Sequence, residues 1–402
     1  MTDALEVFLD TYLQSGSLFT NRVALRDDFV PNHLPHRERE VLELGSTLAP
    51  LLRGEASSNV LLYGTTGTGK TAAAVYVTQR LISVASNSGR RFSSCHVNCT
   101  SAGTAYRVAA HLCSAVGLDV PFTGLATADL VERFRVALDE RRLALVVTLD
   151  EVDTLVGGYG DELLYGLTRM NDALTRSRLV LLGISNDAHV KGRLGARVLS
   201  GLREEELLFK PYSAEQLLDI LTARATVAFG ATCVAPGALR LCAALAAAEH
   251  GDARKALNLL RVAGELADRG GSRCVEEGHI KHAAQRIDHD RTVETLTSLP
   301  LHQRLIVSAA YLQASRSGGT TCSGELYTGY RTLCARSGVS PLTSRRVGML
   351  LEELATAGVI SAEVVSLGRH GRTKRIRVGV NPDLLHAVAT DEAALWVLPN
   401  AG

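Results

Sequence analysis

Between Asn59 and Tyr212, short continuous apolar runs alternate with stretches whose apolar positions recur every three or four residues. The runs are "NVLLYG" from Asn59, "RFSSCHVNC" from Arg91, "LALVVTLDE" from Leu143, "RLVLLGIS" from Arg178 and "EELLFKPY" from Glu205. Strands apolar on both sides must be covered on both sides, so this alternation predicts a parallel sheet with helices on each face. After Pro211 the strand pattern stops. "SAEQLLDILTARATVAF", "PGALRLCAALAAAEHGDARKALNLLRVAGELADRG" and "EEGHIKHAAQRI" carry alanine and leucine at helical spacing, and Ser213 with Gln216 forms a capping box. Near Leu299 the pattern changes again. Helical periods over 300–314, 323–336 and 341–357 lead into "GVISAEVVSLGRHGRTKRIRVGV", two β-rich arms around a glycine-flanked basic tip. Three helices and a hairpin predict a winged helix. The expected divisions are an α/β core over 1–212, a helical unit over 213–295, a winged helix over 296–390 and a tail over 391–402.

Length and composition agree with several domains: 402 residues, 46% of them hydrophobic, exceed one ordinary core. With 43 basic and 42 acidic residues the net charge is +1, so any attraction for a polyanion must be local. The stretch from Ser366 to Val380 is the local candidate, since it holds Arg369, Arg372, Lys374, Arg375 and Arg377 and no acid. No apolar run approaches the ~18–20 residues of a membrane span, and "MTDALEVFLDTYLQ" lacks the basic start and apolar centre of a signal peptide. A cytoplasmic protein without a membrane partner is expected. The eight cysteines form no Cys-x-x-Cys, and "CHVNC" at Cys95–Cys99 reads as a buried strand rather than a metal site.

The chemistry starts at "GTTGTGKT", directly after the first strand and before a helical run. Gly64, Thr65, Gly67, Thr68, Gly69 and the following Ala72 supply backbone N–H groups to wrap phosphates, Lys70 adds a cation for the β- and γ-phosphates, and the Thr71 hydroxyl suits Mg²⁺. ATP or ADP with Mg²⁺ is the expected ligand. Asp150 and Glu151 close the third strand: the first would hold Mg²⁺ through water, the second would orient and deprotonate an attacking water. Asn186 ends the next strand, at the sheet edge where it can reach the γ-phosphate or that water. In the winged helix, "SPLTSRRVGMLLEELATAGVI" supplies a recognition helix, with Ser340 as cap, Pro341 in the first turn, and Val347, Leu350, Leu351 and Leu354 as its buried stripe. Thr343, Ser344, Arg345 and Arg346 are left facing outward, toward bases and phosphates. The basic tip is the wing, with cations to follow the adjacent minor groove.

In order and spacing, Gly64–Thr71, "LDE", "ISND", "FKPY" and "GDARKALNLLRVAGELA" resemble an AAA+ ATPase of the archaeal origin-recognition replication-initiator family. This family is related to the largest subunit of the eukaryotic origin recognition complex and to the cell-division-cycle helicase loader. The likeness runs from "VPNHLPHRERE" through the basic hairpin. It implies an AAA+ core with a helical lid, adenine contacts from Val30, Leu34 and Tyr212, and a sensor role for Arg254 against the phosphates. It also implies that Arg197 faces a neighbouring subunit's γ-phosphate, although Gly195 stands where the family has an acid and Gly201 where it has a serine. A second DNA contact is implied around "GLDVPFTGLATADL", Gly117 to Leu130, where the family inserts a helix. With no basic side chain, that segment would use backbone groups or a helix N-terminus. The function implied is an ATP-dependent initiator, slow in hydrolysis when isolated. It binds double-stranded origin DNA beside identical or paralogous subunits and helps recruit or load the replicative helicase. A P-loop transcriptional switch with a DNA-binding C-terminus is the alternative.

Overall fold

The computed structural model describes residues 17–121, 123–156, 159–202, 204–230, 233–366, 372–381 and 384–385. Gly368, Arg369, Gly371 and the tail over 391–402 lie outside them. The chain divides into two units at Ala283 and Ala284, inside the helix Glu277–Ser298.

In the first unit β1 (Asn59–Tyr63), β2 (Phe92–Asn98), β3 (Ala144–Asp150), β4 (Arg178–Ser185) and β5 (Glu204–Leu208) form one parallel sheet in the order β2-β3-β4-β1-β5. β3 is buried along its whole length, which is why its run reads as continuously apolar. β2 is an edge strand instead. His96 is exposed, Cys95 half-buried, and Cys99 already belongs to the next helix, Cys99–Ala102, so "CHVNC" is not a buried strand. The register sets the level at which the functional residues emerge. Asn98 pairs with Asp150, Asp150 with Ile184, and Tyr63 with Ser185. Gly64, Asn98, Asp150 and Asn186 therefore leave the sheet side by side at its carboxyl edge, where open α/β sheets bind ligands.

The helix Ala214–Phe229 begins with the Ser213–Gln216 capping box. The long alanine–leucine stretch after it is two helices, Pro236–Ala248 and Ala253–Arg269. His250 and Gly251 take φ of +73° and +67° between them, and Asp252 caps the second helix by accepting from the Arg254 and Lys255 N–H groups at 2.8 and 3.2 Å. Of the segment from Gly117 to Leu130, the described residues up to Ala126 form a non-helical connection after the helix Ala105–Ala115, and Thr127–Leu130 open the helix Thr127–Arg141.

The second unit packs the helices Leu301–Arg316, Ser323–Arg336 and Ser344–Thr356 on a three-stranded antiparallel sheet, ordered β6-β8-β7. β7 (Ile360–Ser366) and β8 (Arg372–Val378) are the hairpin arms; β6 (Thr321–Cys322) is too short to leave a periodic signal. Tyr330, Leu305, Ile306 and Ile376 are among the fully buried side chains of its core. The recognition helix starts later than Ser340 and Pro341 suggest. Leu342 is held from both sides, its N–H donating to Tyr330 Oη at 3.0 Å and its carbonyl accepting from Tyr327 Oη at 3.1 Å. This keeps residues 340–342 out of the helix, and Thr343 is the cap, its hydroxyl accepting from Arg346 N.

Candidate nucleotide site and nucleic-acid interface

Gly69, at φ +91°, turns the loop after β1 into the helix Lys70–Asn87, which no side chain caps. Its first-turn N–H groups, from Lys70, Thr71 and Ala72, are thus left for a ligand, and a helix N-terminus favours an anion. Beside them is a cavity of about 100 Å³ whose lining is almost wholly polar and includes Lys70, Asp150, Glu151, Asn186 and Arg254. Lys70 Nζ donates to the carbonyls of Gly64 and Thr65 at 2.8 Å and to Asn186 Oδ1 at 2.9 Å. Burial lowers the Lys70 pKa to about 8, the Arg254 cation adds to this, and Asp150, Asp252 and Asp153 oppose it. Thr71 Oγ1 donates to Asp150 Oδ2 at 2.9 Å, so the two groups expected at Mg²⁺ already meet. Glu151 follows in the left-handed region at φ +55°, its N–H donating to Asp150 Oδ1.

The lid closes directly onto this loop. Ala253 N donates to the Gly67 carbonyl at 3.0 Å and Thr66 Oγ1 to Asp252 Oδ2 at 3.2 Å, while a Cβ on Gly67 would lie 1.7 Å from Asp252 Oδ1. Only glycine fits that approach. Also against this loop, Arg37 is 4% exposed. Its Nε donates to the Thr68 carbonyl at 2.9 Å, its Nη2 to the Lys210 carbonyl, and its guanidinium lies 4.0 Å over the Tyr212 ring. Tyr212 Oη in turn sits 2.7 Å from where a Cβ on Gly69 would be. Of the three residues expected at adenine, Tyr212 is therefore buried against the loop beneath Arg37, while Val30 and Leu34 are half-buried in the segment leading to it.

Three contributors receive no role from the stretches that contain them. Arg37 sits among charges that look like a solvated helix start, and nothing in the spacing marks it. Asp252 reads as an ordinary cap. Asn98 lines the cavity, and the criterion that picks out Asn186, a polar residue closing a strand, would have found it. Arg197 is not part of the cavity; it is exposed on the helix Ala196–Leu202. The two departures beside it have local reasons. A side chain at 195 would start 3.2 Å from the Asp161 carboxylate, and one at 201 would start 2.7 Å from Thr168 Oγ1.

On the winged helix, Thr343, Ser344, Arg345 and Arg346 are exposed at the start of the helix, and Val347, Leu350, Leu351 and Leu354 are buried behind them. Strand alternation divides the wing cations. Arg375 and Arg377 are exposed, whereas Lys374 shares its face with fully buried Ile376 and bonds to the recognition helix at Glu352. Arg372 begins β8, and Arg369 lies outside the described residues.

Residues 53–189 match the family described as AAA domain, 218–285 the Cdc6 AAA+ ATPase-type lid domain, and 294–388 the CDC6, C terminal winged helix domain. The chain is 42% identical to the ORC1-type DNA replication protein of Thermococcus onnurineus over 382 residues, which is 94% of this chain and 92% of the relative. It is also 42% identical to ORC1-type DNA replication protein 1 of Archaeoglobus fulgidus over 386 residues, 96% and 94% of the two chains. Among solved structures, the Aeropyrum pernix ORC1 protein in complex with DNA aligns with 94% of this chain and 98% of its own, at a TM-score of 0.81 and 41% identity. Drosophila ORC bound to DNA aligns with 91% of this chain and 90% of its own, at 0.58 and 25%.

Proposed function

Because the chain belongs to the ORC1-type DNA replication proteins, we propose that it is a replication initiator that binds double-stranded origin DNA under the control of ATP and helps recruit or load the replicative helicase. The observation that carries this reading is the 41%-identical Aeropyrum pernix protein, whose structure includes DNA and aligns over nearly the whole chain. The residues of the cavity fit a nucleotide with Mg²⁺. The N–H groups of the loop and Lys70 suit phosphates, and Thr71 and Asp150, within hydrogen-bond distance of each other, suit one cation. Bound ATP supplies the phosphoanhydride whose cleavage resets the switch. Glu151 accepts the proton of the attacking water, Asn186 orients it, and Arg254 brings the lid's charge to the phosphates. Val30, Leu34 and Tyr212 flank the adenine.

The DNA surface in this reading comprises the recognition helix from Thr343 to Arg346 and the wing through Arg369, Arg372, Arg375 and Arg377, with the segment from Gly117 to Leu130 as a second contact from the core. Arg197, exposed and away from its own subunit's cavity, is assigned to an identical or paralogous neighbour on DNA. The protein acts at the nucleoid.

Fluorescence anisotropy of labelled duplex DNA, titrated with the chain carrying ATP or ADP, tests the switch. Two different affinities are expected, and identical curves would remove ATP control. In parallel, Arg197→Ala lowers only the part of ATP hydrolysis that rises with protein concentration or DNA occupancy. An equal loss at every concentration places Arg197 in its own subunit's site.

A further inference from the structure

The recognition helix carries an acid on the exposed face that begins at Arg345. Glu352 lies three residues beyond Met349 and seven beyond Arg345, spacings that put all three on one stripe, and all three are exposed. The carboxylate is engaged: Lys374 Nζ donates to Glu352 Oε1 at 2.8 Å. Lys374 is 28% exposed and Glu352 72%, so the lysine is drawn in toward the helix while the carboxylate stays open. Apolar surface flanks the pair. Met349 is 47% exposed one turn before Glu352, and Val364, directly across from Lys374 in the β7–β8 register, is 64% exposed.

We propose that Glu352 and Lys374 act together to read one G·C base pair in the major groove, Lys374 donating to guanine and Glu352 accepting from cytosine. This rests on the reading of the winged helix as a DNA-binding unit. An unpaired carboxylate on such a surface would be repelled by every phosphate. Tied to an ammonium it adds no net charge, and the couple presents donors beside an acceptor. Lys374 spends one of its three N–H donors on Glu352 and keeps two; Glu352 keeps Oε2. The major-groove edge of G·C offers the complement in the same order, with acceptors N7 and O6 followed by the cytosine N4 donor. An A·T edge places its donor between two acceptors and so breaks that order. Lys374 is in this account a base-reading residue rather than a phosphate contact of the wing.

The test is selection of bound duplexes from a random-sequence pool by the full chain, followed by affinity titrations on the enriched sequence. The wild type fixes a G·C pair at one position. Glu352→Gln and Lys374→Gln each lose about ten- to hundredfold of the preference at that position and keep the rest of the motif. Replacing the guanine there with 7-deazaguanine, which lacks N7, weakens the wild type and leaves Lys374→Gln unchanged. An unaltered motif in Glu352→Gln with tighter binding to every duplex would overturn the proposal, since the carboxylate would then be only a repulsive surface charge. A fixed A·T pair, or no enriched sequence, overturns it equally. If the wild type retains no duplex at low salt, the DNA-binding reading beneath it fails as well, and that outcome is distinct from all the others. Glu352 is exposed and Lys374 only partly covered, so melting curves of the variants should stay close to the wild type.

Discussion

Lys70→Ala weakens ATP binding by at least about a hundredfold, whereas Glu151→Gln retains ATP and loses about 10²–10⁴-fold in turnover. The two residues differ in what they touch. Lys70 reaches two loop carbonyls and Asn186 Oδ1 from a buried position, and a phosphate entering the loop takes over donors of that same cation. Its removal leaves the incoming charge unmatched in a cavity that also holds Asp150 and Glu151. Glu151 bonds to its surroundings through its main chain, by its N–H to Asp150 and its carbonyl to Thr154. Exchanging its carboxylate for an amide therefore disturbs little except the proton acceptor. The pH dependence follows from Lys70 and has a definite sign. Its pKa lies at about 8 without nucleotide, and phosphate favours the charged form, so binding takes up a proton above that pH. Affinity is then level below pH 8 and falls as pH rises beyond it; Lys70→Arg, which stays charged, removes the fall. Calorimetric titration across pH 7–9.5 with a phosphate-release assay checks all of this. A Glu151→Gln protein that hydrolyses ATP at the wild-type rate would remove Glu151 from its assigned role.

The second large effect separates the two halves of the DNA surface. Arg375→Ala with Arg377→Ala weakens binding to specific and random duplexes by similar factors. It flattens the slope of log affinity against log salt by about 0.9 for each phosphate that an arginine no longer neutralises, because neutralising a phosphate releases its counterions. Arg345→Ala or Arg346→Ala, at the exposed start of the recognition helix, costs about 1–3 kcal/mol on the specific duplex and much less on random DNA if the side chain reaches a base edge. Titrations of both duplexes at several salt concentrations distinguish the two. An unchanged slope in the double wing variant would mean that Arg375 and Arg377 are simply solvated.

The sequence is most informative where one period or motif dominates. Buried β3 and the loop after β1 could be placed because burial on both faces and phosphate wrapping each demand a narrow set of residues. The edge strand β2 is not legible in the same way, because an apolar-looking run does not say which face is covered. The recognition helix starts later than Ser340 and Pro341 suggest because Leu342 is fixed by Tyr327 and Tyr330, a tertiary contact that overrides their local preference. The same limit hid Arg37, Asp252 and the Glu352–Lys374 pair. Each depends on a partner far away in sequence, and no local pattern encodes a partner.

Where the protein sits in the genome distinguishes an initiator from a transcriptional switch most directly. Footprinting of the wild-type chain across the DNA of replicating cells is expected to show clustered sites at a replication origin, with occupancy altered in the Glu151→Gln variant that holds ATP. Sites gathered at promoters and absent from the origin would contradict the initiator reading and establish a transcriptional switch in its place.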